Sequence, residues 1–119
     1  MDSKILPVKS IISSEDLEKV DIRVGTIEKV EDVSKSDRLV RLTVNFGDFK
    51  RTILVGMKKE RGNVQKVVGK QALFVVNLKP KEMMGETSEG MVFDIGYANG
   101  VIPVFAIPER PVSDGVSAG

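Results

Sequence analysis

Residues 39–55, LVRLTVNFGDFKRTILV, contain two short strand-like patterns separated by Gly47-Asp48. In the first pattern, apolar side chains alternate with polar ones, which is typical of a strand with one buried face. A glycine followed by an aspartate between two such patterns predicts a tight turn. The stretch therefore predicts a β-hairpin with strands over residues 39–46 and 49–55.

The remaining strands are expected where runs of apolar and β-branched residues are bounded by glycine or proline. A long strand over residues 21–33 is expected to bend near Gly25. Residues 71–78, QALFVVNL, form the most apolar run and predict a buried strand. Two further strands over residues 91–95 and 101–107 bring the expected total to five or six.

Helix is expected at two places only. Ser13 or Ser14 can cap a short helix, and Glu15 and Asp16 suit the positive end of its dipole. One helical turn is expected within residues 64–68, and the C-terminal DGVSAG is expected to fray. The pattern predicts an all-β fold, a five-stranded Greek-key barrel with a short N-terminal helix and an extended C-terminal segment. A small β-sandwich would show the same pattern.

The composition excludes most catalytic chemistries. None of the 119 residues is a cysteine or a histidine, so thiolate nucleophiles, disulfides and histidine-ligated metals are excluded. No phosphate-loop or paired-carboxylate motif is present, so we expect no enzyme, no cofactor and no metal. No apolar run approaches the roughly 20 residues of a membrane span. The charged start, which contains Pro7, does not resemble a signal peptide, and a cytoplasmic protein without a membrane partner is expected.

The formal net charge of +1 conceals an uneven distribution along the chain. Residues 1–32 hold five Lys and Arg against eight Asp and Glu, a net charge of −3. Residues 33–81 hold twelve against three, a net charge of +9, and residues 82–119 hold one against six, a net charge of −5. A basic segment in an otherwise acidic small protein indicates a nucleic-acid footprint, although a lysine-rich solvated surface would have the same composition.

Two motifs carry a resemblance to a known family. Residues 20–33 read VDIRVGTIEKVEDV, and residues 77–91 read NLKPKEMMGETSEGM. In this order and spacing they resemble the tRNA-binding OB domain, and the similarity extends from about Leu17 to Ser117. That family includes stand-alone tRNA-binding proteins, the C-terminal appendage of many methionyl-tRNA synthetases and the endothelial-monocyte-activating cytokine domain.

The resemblance implies an OB-fold domain over residues 20–119, tRNA as a partner and a homodimer. It also raises a methionyl-tRNA synthetase as a further partner. Residues 1–19 form an N-terminal extension outside the barrel pattern, yet they carry several apolar side chains. Together with the apolar residues 101–107, this extension is expected to form the dimer contact.

The second motif has a physical logic of its own. Lys79 and Lys81 flank Pro80, where the backbone cannot continue a strand ladder, so their charges are expected to project from the barrel end. Gly85 is expected to adopt a positive φ, and Met84 offers a soft apolar surface. By resemblance, the tRNA contacts of this motif are assigned to Asn77, Lys79, Lys81, Ser88 and Met91. As alternatives, Met91 belongs to the core and Ser88 is an ordinary turn residue.

A second basic group is expected on the outer face of the predicted hairpin. Arg41 alternates with apolar positions, Arg38 begins the same strand and Lys35 precedes it. Strands two and three of OB folds bind oligonucleotides, which adds these three residues to the candidate site. Lys59 joins them because some family members also have a lysine there. Its segment, MKKERGNVQK, replaces the short helix that is common in the family.

Two functions remain in competition. The chain has five Phe, one Tyr and no Trp, which argues against base stacking and favours recognition of a folded RNA by its backbone and shape. The alternative is a secretion-related chaperone of the same superfamily that binds unfolded polypeptides. That branch tends to carry an NFPP-type stretch, whereas residues 77–80 read NLKP in this chain.

Overall fold

The computed structural model describes residues 4–119, which fold into a curved antiparallel sheet with short peripheral strands. The strands are β1 Ile22–Asp32, β2 Leu39–Asn45, β3 Lys50–Gly56, β4 Gln71–Val75, β5 Lys81–Met83, β6 Glu86–Ser88, β7 Met91–Val92, β8 Asp94–Ile95, β9 Val104–Phe105 and β10 Ser117–Ala118. One α-helix, α1, spans Ser14–Glu18, and two single-turn 3-10 helices span Val64–Val67 and Tyr97–Asn99.

The main sheet has the order β3-β2-β1-β4-β7, and β10 pairs with the start of β1. β1 pairs with β4 through residues 22–26 and with β2 through residues 26–32. Because the two ends of β1 pair with different strands, the sheet curls around its apolar face. The fold is all-β and barrel-like, as predicted; closure of a five-stranded barrel stays a prediction.

The core lies inside this curl. Ile27, Leu42, Ile53 and Phe74 come from the four longest strands and are fully buried. The alternation read from residues 39–46 is therefore the alternation between the core and the outer face, as expected for a sheet with one buried side.

Gly25 has a different role from the predicted one. It pairs regularly with Ala72, and the register of β1 shifts between Ile27 and Lys29 instead. A Cβ at Gly25 would lie 2.6 Å from Val44, so the glycine is needed for close packing and the irregularity farther along bends the strand.

Several local predictions are confirmed. The turn at Gly47-Asp48 joins β2 to β3, and Gly47 has a φ of 90°. The Ser13 hydroxyl accepts a hydrogen bond from the Asp16 amide and caps α1, and the predicted helical turn occurs at Val64–Val67.

Other local predictions are wrong. The strand predicted over residues 71–78 ends at Val75, and the one over 101–107 is reduced to Val104–Phe105. The C-terminus does not fray, because the Gly115 amide donates to the Val24 carbonyl and β10 pairs with Ile22 and Arg23. Among residues 4–119, no helix has the length and apolar content needed to cross a membrane.

Candidate nucleic-acid interface

The second sequence motif folds into a hairpin that the sequence did not predict. β5 and β6 pair antiparallel and are joined by the two-residue turn Met84-Gly85. Both residues have positive φ, 51° and 79°, which is the pattern of a type I′ turn and confirms the prediction for Gly85. Met84 stands half-exposed at the tip of the hairpin.

Ser88 anchors the base of the hairpin to β3. Its side chain is buried, and its Oγ accepts a hydrogen bond from the Leu54 amide at 3.0 Å. The hydroxyl in turn donates to the Gly90 carbonyl at 3.0 Å. The hydroxyl thus donates one hydrogen bond and accepts another within the fold, which gives Ser88 a structural role; its predicted RNA contact stays a prediction.

A second anchor lies near the tip. Arg41 on β2 donates through Nε to Glu86 Oε1 at 2.6 Å and through Nη2 to Glu86 Oε2 at 2.8 Å. Arg41 Nη1 also lies 3.5 Å from Glu31. The hydrogen bond from Arg41 lowers the pKa of the Glu86 carboxyl below its ordinary value. Arg41 lies on the outer face as predicted, but its charge is paired within the fold.

Asn77 fixes the start of the motif. Its Oδ1 accepts a hydrogen bond from the Asp21 amide at 2.8 Å, and its Nδ2 donates to the Lys19 carbonyl at 2.7 Å. The amide thus joins the end of β4 to the segment before β1. These hydrogen bonds give Asn77 a structural role, and its predicted RNA contact stays a prediction.

The remaining predicted strand-face residues differ in their pairing. Lys59 lies 3.1 Å from Asp37, and the hydrogen bond from Lys59 lowers the pKa of Asp37. Lys58, which is not among the predicted site residues, donates to the carbonyls of Val33 and Ser36 and holds the β1–β2 turn. Nothing in the MKKERGNVQK pattern distinguishes the structural Lys58 from its exposed neighbour.

Four predicted cations have no ion pair in the part of the chain that the structure describes: Lys35, Arg38, Lys79 and Lys81. All four are exposed. Lys35 and Arg38 line a groove of about 640 Å³, and Lys79 and Lys81 line another of about 600 Å³.

The two grooves meet at the hairpin, because Gly56 and Met83 line both of them. Met91 lines the second groove and is half-exposed, so the core alternative for this residue is wrong. We call this surface the hairpin face; it comprises Lys35, Arg38, Gly56, Lys79, Lys81, Met83, Met84 and Met91.

The hairpin face combines unpaired cations with apolar sulfur-containing side chains. Such a surface can hold phosphate groups and provide a soft contact for a sugar or base. Residues 4–119 contain no cluster of carboxylates suited to a metal ion. The sequence singled out the four cations that line the two grooves but missed the hairpin that joins these grooves, as well as its anchor Glu86.

The chain matches one family model and is similar to several solved structures. Residues 22–115 match the family model described as "Putative tRNA binding domain". The structure is similar to that of a MetRS-related protein from Pyrococcus horikoshii, with a TM-score of 0.84 and 27% sequence identity. That match covers 93% of this chain and 100% of the other.

Two further solved structures are similar. The chaperone CsaA from Bacillus anthracis matches with a TM-score of 0.80 and 26% identity, over 92% of this chain and 100% of that one. The C-terminal domain of p43 from Plasmodium vivax matches with a TM-score of 0.77 and 30% identity. The latter match covers 86% of this chain and 61% of that chain.

Proposed function

Since the chain belongs to the family described as "Putative tRNA binding domain", we propose that it binds tRNA through the hairpin face without catalysing a reaction. The observation that carries the proposal is the set of four unpaired cations in two grooves that meet at the hairpin. Phosphate contacts supply most of the affinity in nucleic-acid binding and carry no sequence information. The proposed binding therefore depends on backbone charge and shape.

The candidate residues divide into two roles under this proposal. Lys35, Arg38, Lys79, Lys81 and Met91 contact the RNA directly. Asn77, Ser88 and Arg41 act through the fold, because their polar groups hold the hairpin and the loop before it. Lys59 contributes by exchanging its exposed partner Asp37 for a phosphate.

Unfolded polypeptide is the second candidate ligand for the same surface. Met84 and Met91 of the hairpin face and Leu78, which also lines the second groove, are each about half-exposed, and apolar side chains in a groove can accept an extended peptide. The similarity to the chaperone CsaA from Bacillus anthracis supports this candidate. The excess of unpaired cations favours RNA over peptide.

Assembly and location form part of the proposal. We propose a cytoplasmic homodimer whose contact includes the N-terminal extension, residues 1–19, of which the first three lie outside the described residues. Ile5, Val8 and Ile11 are strongly exposed, as an unpartnered contact surface would be. The similarity to the MetRS-related protein supports a methionyl-tRNA synthetase as a further partner.

A salt titration with three ligands tests the proposal. Binding of bulk tRNA, an RNA minihelix and a chemically unfolded polypeptide is measured in parallel. If about four phosphates contact each protomer, the logarithm of the tRNA binding constant should fall linearly with the logarithm of salt, with a slope near −4. Individual tRNA species should differ by less than roughly tenfold, because backbone contacts carry no base information.

Polypeptide binding as tight as tRNA binding would favour the chaperone function. A tRNA binding constant that is insensitive to salt would contradict the proposed mode of binding.

A further inference from the structure

Glu86 is an acidic residue that lines neither groove, but it lies on the hairpin whose Met83 and Met84 belong to the surface that we propose binds a polyanion. Its carboxylate lies near the hairpin tip, because Glu86 directly follows the turn and pairs across it with Met83. A carboxylate in that position repels phosphate. Electrostatics alone therefore predicts that its removal strengthens RNA binding.

The contacts of Glu86 oppose that expectation. Both of its oxygens accept hydrogen bonds from Arg41, and this bidentate geometry is the strong form of the arginine–carboxylate pair. Arg41 lies in the middle of β2, where it pairs with Leu54 of β3 and Glu31 of β1. The ion pair thus attaches the outer end of the hairpin to β2, an inner strand of the main sheet.

The hairpin depends on contacts with the rest of the fold. β5 and β6 have three residues each, and a two-stranded hairpin of this length is not stable by itself in water. Ser88 fixes its base, and Met83 packs against Val33, Leu39 and Leu54. The Arg41–Glu86 pair is the polar contact nearest to the tip, where Met84 is presented.

From this geometry we propose that Arg41 and Glu86 form a latch that positions the hairpin for RNA, so that an acidic residue is required for polyanion binding. The inference rests on the proposed function and names positioning residues, not contact residues. The latch holds Met83 between the two grooves and keeps Lys81, at the start of β5, aligned with Lys79.

The test compares Glu86→Gln with Glu82→Gln. Glu82 lies on the same hairpin, is exposed, alternates to the opposite side and has no ion pair among the described residues. Both substitutions remove one negative charge. Glu82→Gln should strengthen tRNA binding slightly, by less than about threefold, as expected for one exposed charge. Glu86→Gln should weaken it by about three- to tenfold, because the amide keeps one acceptor oxygen for Arg41 but loses the second hydrogen bond and the negative charge.

Two further variants isolate the pair. Arg41→Lys keeps the charge but loses the planar fork, so it should weaken binding in the same direction as Glu86→Gln. The exchange variant, Arg41→Glu with Glu86→Arg, is made together with Glu31→Gln, because a carboxylate at position 41 would otherwise face Glu31. It should recover binding to within about twofold of Glu31→Gln alone, as expected for restored pairing in a double-mutant cycle.

Amide hydrogen exchange supplies an independent measurement. In Glu86→Gln, exchange should accelerate within residues 81–88 and stay unchanged in β1 to β4. Glu86→Gln that binds tRNA as tightly as Glu82→Gln would overturn the latch. A parent protein that binds no tRNA would overturn the proposed function. The rates of amide hydrogen exchange in the parent and in Glu86→Gln would still decide whether the Arg41–Glu86 pair holds the hairpin.

Discussion

Met84 is the one non-glycine residue with a positive φ among residues 4–119. Side chains other than those of Gly, Asn and Asp are strained in this region, so a methionine here is unfavourable for the turn. Its side chain is half-exposed at the tip of the hairpin, where it lines the groove of Lys35 and Arg38. This combination points to a role for the side chain outside the stability of the fold.

Met84→Asn tests that role. Asn-Gly is the preferred pair for a type I′ turn, so the variant should unfold at the same or a slightly higher denaturant concentration. If the methionine contacts RNA, the variant should bind tRNA about two- to fivefold more weakly, as expected for the loss of a partly buried apolar contact. Parallel denaturation and binding curves provide the measurement. If Met84→Asn bound tRNA as tightly as the parent protein, the Met84 side chain would have no part in RNA binding.

At the residue scale, the sequence predicted which side chains are exposed better than it predicted their hydrogen-bond partners. Lys79 and Lys81 are exposed beside Pro80, and Gly85 has its positive φ, because these properties follow from local chemistry. The partners of Ser88 and Arg41 lie 34 and 45 positions away. Such hydrogen bonds depend on how the strands meet in space, which no local pattern contains.

At the scale of elements, the missed features are the short ones. Three residues on each side of Met84-Gly85 are too few to show a period of two, and the Met-Gly turn lacks the usual Asn or Asp. β10 was missed because DGVSAG is polar and small, and it is ordered by β1. The long strands β1 to β3 were predicted because each has enough residues to display its pattern.

The latch should respond to acid. The pKa of Glu86 is lowered by the hydrogen bond from Arg41, with a smaller contribution from the nearby charge of Lys35. A carboxyl with a lowered folded-state pKa contributes its stabilisation above its ordinary value of 4.5 and loses it as the pH falls through the folded-state value. The hairpin should therefore be attached at neutral pH and released only below the ordinary glutamate range.

The methyl resonance of Met83 reports this release. It should shift with a midpoint below pH 4.5 in the parent protein and show no such transition in Glu86→Gln. Glu31 also lies near Arg41, and Glu31→Gln is the control that should leave the transition in place. A Met83 transition that persists in Glu86→Gln would assign it to another carboxyl.

At the scale of the whole molecule, several apolar side chains of the N-terminal extension are exposed to solvent. Residues 4–20 are exposed throughout, and Val8 and Ile11 are 98% and 99% exposed. The Lys4 amide donates a hydrogen bond to the Asn99 carbonyl, so Lys4 lies beside the second 3-10 helix. Isolated exposed apolar residues are ordinary, but a series of them along an extended segment indicates a contact with another chain.

Sedimentation tests the proposed homodimer. The parent protein should sediment as a dimer at about ten micromolar, and Val8→Asp with Ile11→Asp should shift it to a monomer. Because neither side chain packs in the described fold, thermal unfolding extrapolated to low protein concentration should not change. A parent protein that is monomeric under these conditions would contradict the dimer.

The charge distribution along the chain predicted a basic surface, but it did not predict which cations on that surface remain unpaired. Of the twelve cations in residues 33–81, Arg41, Lys50, Lys58 and Lys59 form ion pairs within the fold. The sequence does not reveal which cations are neutralised, since their partners come from other strands. We therefore propose that the unpaired cations of the hairpin face, and not the basic segment as a whole, bind tRNA.

Two double variants with the same loss of charge test that claim most directly. Lys79→Ala with Lys81→Ala removes two cations from the hairpin face, whereas Lys66→Ala with Lys70→Ala removes two exposed cations that line neither of its grooves. The tRNA binding constant of each variant is measured across a salt series, alongside its thermal unfolding. The hairpin-face variant should lose about 1–3 kcal/mol of binding free energy and about two units of salt slope. The control should lose less than about 0.5 kcal/mol, as expected for charges that act only through the general field. Equal losses in the two variants, or undiminished binding by a normally folded hairpin-face variant, would contradict the account.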